Sequence, residues 1–239
     1  AMTTMVALDI ETTGLDPEGD AITEIGVVRF NKRRVDDEWH SLINPGRHIP
    51  PHITQLTGIT DAMVRDAPFI HEVLDDLSHF VGDLPILGHN IKFDLNFLRN
   101  NGVLLQNESL DTYDMAAVLM PNAGRYRLGA LAQALGILLP ATHRALDDAR
   151  VTHAVYLRLY DEAMNLPLDI LAEIVRLGDN VSDWDGYGLF FEVLGARAKE
   201  LMPARRDRSY SRTTLFGEKP AREAEALLPK TEVIPLDVE

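Results

Sequence analysis

The chain contains no cysteine. That excludes a disulfide framework and any Cys-based zinc site, and a reducing cytoplasm fits. It also lacks an apolar run near the roughly 18 to 20 residues that a membrane helix needs, so no membrane partner is expected. No basic start leads into an apolar stretch, so no secretory signal is expected. Ala1 ahead of Met2 reads as an expression scar. Positive charge is scarce: 23 Lys and Arg stand against 37 Asp and Glu, a formal net charge of −14. Such a chain is poorly suited to gripping nucleic acid by bulk electrostatics, and any binding should be weak and salt-sensitive. What is present suffices for a full core: 239 residues, 46% of them hydrophobic, an ordinary share for a globular chain.

The organising stretch begins at Thr4-Met5-Val6-Ala7-Leu8, apolar and partly β-branched, which predicts a buried strand. Asp9-Ile10-Glu11-Thr12-Thr13-Gly14-Leu15 follows. Strand side chains alternate, so Asp9 and Glu11 leave one face while Ile10 points into the core. Two carboxylates held that close repel each other unless they share a proton or a cation. At a strand end beside a Gly turn, a hard divalent ion such as Mg²⁺ or Mn²⁺ is the expected partner. A solvated acidic strand end is the alternative.

Further along, Ile22 to Phe30 and Trp39 to Ile43 read as strands of an antiparallel meander, joined through a polar turn at Asn31 to Asp36. His48 to Ala62 reads as a loop with a short helical piece. A helix is predicted from Asp66-Ala67-Pro68 to about Val81, with Ile70, Val73, Leu74, Leu77, Phe80 and Val81 on its apolar face. Pro85 to Gly88 is a short buried strand, and a helix follows from about Ile91. Ser109-Leu110 is the next strand, and Asp111 is the expected N-cap of a helix to about Leu119. Tyr126 to Gly136 is another helix, and the last helix of the pattern begins just after His143 and runs to about Glu162.

Two stretches change the reading of Asp9 and Glu11. One is His89-Asn90-Ile91-Lys92-Phe93-Asp94-Leu95-Asn96-Phe97-Leu98, the other His143-Arg144-Ala145-Leu146-Asp147-Asp148-Ala149. With the first stretch, and in this order, they resemble the motifs of the DEDDh exonucleases. That DnaQ-like group includes the proofreading subunit of bacterial replicative polymerases. The resemblance covers roughly residues 3 to 163. It implies an α/β, ribonuclease H-like fold: a five-stranded mixed sheet with helices on both faces. It also implies that the family's four carboxylates are Asp9, Glu11, Asp94 and Asp148, and that its histidine is His143. Asp147 and Asp148 point about 100° apart on a helix, and the family spacing selects Asp148.

By the same resemblance the cofactors are two divalent ions, Mg²⁺ or Mn²⁺. Asp9 would bridge both, Glu11 and Asp148 would complete one, and Asp94 would hold the other largely through water. His143 would take a proton from the attacking water. The backbone of Thr12 and Thr13 would meet the 3′-hydroxyl, and Leu15 would pack on the terminal base. Gly14, Thr57, Gly58, Ile59, His89, Asn90 and Phe93 are further substrate-contact candidates. For Thr57 to Ile59 the alternative is a surface loop with Ile53, Leu56 and Ile59 tucked into the core. The implied activity is a 3′→5′ exonuclease releasing nucleoside 5′-monophosphates from DNA ends, preferably single-stranded. An exoribonuclease on the same fold and a non-catalytic DnaQ-like binding module are the alternatives.

After Asn165-Leu166-Pro167 the pattern changes. Residues 164 to 201 read as a helical extension, with helices over Asp169 to Leu177 and Tyr187 to Leu201. Residues 202 to 239 carry Arg205, Arg206, Arg208 and Arg212 with several prolines, and read as a linker or interaction tail. This junction resembles the one where an exonuclease domain is fused ahead of a DinG-type helicase, so a fused helicase domain is one expected partner. No Walker-type phosphate loop is present, so no helicase activity is expected of this chain. Thr213-Thr214-Leu215-Phe216 faintly resembles sliding-clamp peptides, with Arg212 where a Gln is usual; a polymerase or clamp is the other candidate partner.

Overall fold

Three antiparallel strands open the chain: β1 (Thr4–Thr12), β2 (Ile22–Asn31) and β3 (Arg34–Leu42). β2 and β3 are joined at Lys32-Arg33, where Lys32 has φ of 56°, as tight hairpin turns require. β3 therefore starts at Arg34, ahead of the expected Trp39. Its leading residues are charged because it is the sheet edge, and charge blunts an exposed edge against further pairing. The structure, a computed structural model, describes residues 3–141 and 143–201. Two short parallel strands, β4 (Ile86–Gly88) and β5 (Ser109–Asp111), complete a sheet of order β3-β2-β1-β4-β5.

Strand alternation sorts the core into two layers. On one face Met5, Ala7, Val28 and Phe30 pack against a 20-residue helix, α7 (Ala145–Met164), and against α5 (Thr112–Leu119). On the other, Val6, Leu8, Ile10, Ile25 and Val27 pack against α3 (Ile70–Val81) and α4 (Ile91–Asn100). Each fully buried large apolar side chain stabilises by roughly 1.5–3 kcal/mol relative to exposure. β1 is covered on both faces, which makes it a rigid support. The expected mixed sheet with helices on both faces is what the chain forms. α3 starts at Ile70 rather than Asp66, because Pro68 disfavours helix in the residue before it. Glu72 closes its first turn by accepting the Phe69 N–H at 2.7 Å.

Between β3 and α3 lie α1 (Pro51–Thr57) and α2 (Asp61–Val64). Ile49, Ile59 and Val64 form a small separate cluster beneath them. α6 (Leu128–Ala134) precedes α7. After α7 come α8 (Leu168–Gly178) and α9 (Tyr187–Leu201). They bury Leu171, Leu189, Phe190 and Val193 in the same cluster as Tyr156 and Leu159 of α7. Their connector is tied to β5, where the Asp111 N–H donates to the Asp185 carbonyl at 2.9 Å. The arginine cluster and Thr213 to Phe216 lie outside the described residues. No described helix is long and apolar enough to cross a membrane.

Candidate active site

Along the α7 face, β1 presents Met5, Ala7, Asp9 and Glu11 in turn. The apolar pair lies under the body of α7, and the acidic pair emerges at its N-terminus. Across the ladder, Asp9 is paired with Gly26 and Glu11 with Glu24. Directly opposed residues share a face, so Gly26 and Glu24 also look toward α7. At Gly26 a Cβ would stand 2.2 Å from the Leu146 nitrogen and 2.4 Å from the Ala145 carbonyl carbon. Only glycine lets the first turn of α7 come this close to β2. That approach brings Asp148 to Asp9 and Glu11: one carboxylate oxygen from each of the three lies within 4.8 Å of the others.

Asp94 arrives from the opposite layer. β4 ends at Gly88, its pairing with β1 stopping at Ala7, and Asp94 Oδ1 accepts the Ile10 N–H beyond it at 2.9 Å. Asp94 is buried there and does not belong to the three-carboxylate cluster. His143 is 59% exposed at its side chain, with Nδ1 3.2 Å from Asp148 Oδ2.

The electrostatics fit a cation. Burial, then the charges of Asp148, Glu24 and Asp94, push the Glu11 carboxyl up to about 8. Burial and the charges of Asp94 and Glu11 hold Asp9 well above its ordinary value. Asp94 is pushed up to about 8, chiefly by burial. Carboxylates this crowded retain protons unless a positive charge replaces them. An all-oxygen donor set of this kind suits a hard divalent ion, and Asp9, Glu11 and Asp148 are the residues that could hold one.

Glu24 is the exception in this field. Burial pushes its carboxyl up, but hydrogen bonds from His40, Arg144 and the Ala145 amide outweigh it and hold the group at about 2. Asp111 is the N-cap of α5 as expected, accepting the Tyr113 N–H at 2.8 Å, and it also accepts the Asn90 and Ile91 amides at 3.0 Å each. One buried carboxylate thereby ties α4, which carries Asp94, to α5.

The cluster opens into a cleft of about 840 Å³ that is also lined by His143, Leu15, His89, Asn90 and Phe93. Leu15 is 83% exposed there. Asn90 holds a left-handed backbone, φ 59°. His89 is kept neutral, its acidity pushed to about 4 by burial, with Nδ1 2.9 Å from Thr112 Oγ1. Thr12, Thr13 and Gly14 form the turn behind Leu15. Thr12 Oγ1 donates to the Gly14 carbonyl at 2.6 Å, and Thr13 Oγ1 donates to Asp20 at 3.1 Å while accepting the Ala21 N–H.

The α1 loop is placed differently from the other candidates. Thr57 is buried, its hydroxyl bonded to the Ile53 carbonyl and the Ile59 amide. Gly58 is the left-handed C-cap of α1, φ 74°. Ile59 is fully buried against Ile49 and Val64, so its side chain is held in the core. The loop residue that lines the cleft is Leu56. Hydrophobicity alone placed Leu56 and Ile59 together in the core; α1 ends between them, and the chain reversal sends them opposite ways. Lys92, Tyr113, Asp114, Arg127 and Asp183 line the cleft as well. Lys92 stands inside the second motif, though its type alone does not mark it as a site residue; the others come together only by folding.

Comparison with known proteins gives the same direction. The family described as exonuclease, RNase_T, matches residues 6–156. A Staphylococcus aureus protein named 3′-5′ exonuclease DinG is 32% identical over 216 residues, 88% of this chain and 24% of that protein. A Thermotoga maritima DNA polymerase III of PolC type is 38% identical over 183 residues, 74% of this chain and 13% of that protein. The chain thus spans about a quarter or less of the length of these curated relatives. Among solved structures, exonuclease X in complex with 5′ overhanging duplex DNA is 28% identical with a TM-score of 0.56, covering 66% of this chain and 91% of that one. Escherichia coli exonuclease I in a single-stranded DNA complex is 24% identical with a TM-score of 0.60, covering 73% and 44%; that likeness concerns the fold, which is ribonuclease H-like. The family match takes in most of the chain and all three motifs, and the chain belongs to the exonuclease family.

Proposed function

We propose that this chain is a metal-dependent 3′→5′ exonuclease acting on DNA ends and releasing nucleoside 5′-monophosphates. The observation that carries the reading is one cleft joining the Asp9, Glu11 and Asp148 carboxylates to His143, whose Nδ1 lies 3.2 Å from Asp148 Oδ2. Bound Mg²⁺ or Mn²⁺ would stabilise the attacking and leaving oxygens of a phosphodiester. The protein residues do the rest. Asp148 orients the His143 ring through Nδ1, which leaves Nε2 as the acceptor for a proton from water. The exposure of His143 lets it pass that proton to solvent. Leu15, Leu56 and Phe93 offer apolar surface to a terminal base. Lys92 and Arg127 are the cleft's cations and can meet phosphate, which partly offsets the chain's acidity.

The named activity of the DinG relative and the DNA in the exonuclease X complex support polarity and substrate. The chain's share of its relatives supports its being the nuclease part of a longer helicase or polymerase polypeptide, with residues 3–163 as the catalytic domain and 164–201 as an extension. A cytoplasmic location goes with such partners.

The test is hydrolysis of a 5′-labelled single-stranded DNA oligonucleotide with Mg²⁺ or Mn²⁺, beside EDTA and Asp148→Ala controls. A ladder shortening from the 3′ end, absent from both controls, is expected. Faster cleavage of the matched ribo-oligonucleotide would move the assignment to RNA. A protein that binds Mn²⁺ calorimetrically but cleaves neither would refute the enzymatic reading.

A further inference from the structure

Glu24 belongs to none of the motifs, yet it is the most completely partnered carboxylate beside the site. It is 1% exposed. Its Oε2 accepts the Ala145 N–H at 2.9 Å. Arg144 Nε lies 3.0 Å from both its oxygens, and the Arg144 terminal nitrogen lies 2.5 Å from Oε1. His40 Nε2, from β3, is 2.6 Å from Oε1. α7 meanwhile begins without a cap of its own: Arg144 holds the N-cap position and its side chain caps nothing. The first amides of a helix have no partner within the helix and need one from elsewhere.

We infer that Glu24 is a positioning residue: from β2 it caps the N-terminus of α7 in place of a local cap, and thereby sets where Asp148 stands relative to Asp9 and Glu11. The inference rests on the exonuclease reading for its meaning in catalysis, but its geometry is independent of it. Ala145 precedes Asp148 by less than one 3.6-residue turn, so a shift or rotation at the cap is carried directly to the carboxylate. Gly26, two residues along the same face of β2, allows the close approach, and Glu24 fixes it laterally through Arg144 and His40. Arg144 is also the neighbour of His143, so the same clamp anchors the segment that delivers the histidine. A purely structural ion pair would stabilise the chain without any bearing on the affinity of the folded protein for metal.

The experiment is Mn²⁺ titration by calorimetry of the full chain, in wild type, Glu24→Gln and Arg144→Gln, at a temperature where circular dichroism shows each fully folded. Gln keeps the volume of Glu24, but one of its oxygens becomes an NH₂ that cannot accept from Ala145 or Arg144. Groups that orient metal ligands are typically worth about 10–100-fold in metal affinity. A loss of at least about tenfold in Mn²⁺ affinity is expected for Glu24→Gln and a smaller loss in the same direction for Arg144→Gln. Arg33→Ala, which removes the exposed Arg33–Asp161 pair, should change nothing. Folded Glu24→Gln with wild-type Mn²⁺ affinity would overturn the inference. If Glu24→Gln does not fold, Arg144→Gln decides on the same criterion. The affinity is read without substrate, so a wild-type chain that binds Mn²⁺ and cleaves no oligonucleotide would sink the exonuclease reading alone.

Discussion

Gly26→Ala tests whether the backbone approach of α7 to β2 is what builds the site. The added Cβ would stand 2.2 Å from the Leu146 nitrogen, where ordinary contact begins at 3.4 Å. Its near neighbours are backbone atoms of α7 and cannot rotate away, so the first turn must retreat by about 1.2 Å, the difference of those two distances. Asp148 lies in that turn and retreats with it, away from Asp9 and Glu11. A misplacement of about 1 Å typically costs about 10²-fold in rate, equivalent to about 2.7 kcal/mol of transition-state stabilisation. Overpacking at a buried contact costs about 1–3 kcal/mol of stability, which leaves a folded protein to assay. The measurement is kcat for the 5′-labelled oligonucleotide at saturating Mn²⁺, with thermal unfolding alongside. A folded Gly26→Ala protein with kcat within about threefold of wild type would show that the approach is incidental and that Asp148 is placed by something else.

Asp9→Ala should abolish both the calorimetric Mn²⁺ signal and cleavage, whereas His143→Ala should keep most Mn²⁺ affinity and lose about 10²–10⁴ in rate; intact Mn²⁺ binding in Asp9→Ala would contradict the assigned ligand set. In the metal-free protein Glu11 titrates at about 8 against an ordinary 4.5. Between those values the folded chain holds a proton that the unfolded chain has lost, so stability should fall as pH rises through that window. Glu11→Gln should shrink that fall and saturating Mn²⁺ should offset it; the same pH dependence of melting temperature in wild type and Glu11→Gln without metal would refute the raised acidity. Asp111→Ala strands three amides of α4 and α5 and should cost about 2 kcal/mol in urea unfolding, with a weaker effect for Asp111→Asn.

The parts of the fold legible from sequence were those set by local chemistry. The Asp9-Ile10-Glu11 alternation placed two carboxylates on one face without reference to anything distant. Asp111 read as a cap because it precedes a helical pattern, and it is one. Where the reading fell short, the deciding contact lay far along the chain. Gly26 reads as an unremarked glycine in a strand, and only Leu146 gives it meaning. Glu24 reads as one polar position of an alternating strand; its partners lie at His40, Arg144 and Ala145. The start of β3 carries no strand signal in the sequence because its charges are those of an exposed edge rather than of a half-buried strand. The proposed roles of Asp94 and Asp148 rest on the family resemblance, since nothing near either residue in the sequence distinguishes a ligand from a helix-dipole partner.

The order of the elements has a consequence for synthesis. All five described strands and Asp94 precede residue 112, while Asp148 and the helix covering the Met5–Phe30 face come only with residues 145–164. A nascent chain can lay down the sheet long before it owns a complete acidic cluster. Until α7 emerges, the Met5–Phe30 face has α5 but not its long helix, and the cluster lacks Asp148. The helix that covers much of that face also brings the third carboxylate, so a truncated or stalled product lacks both the covered core and the complete acidic cluster.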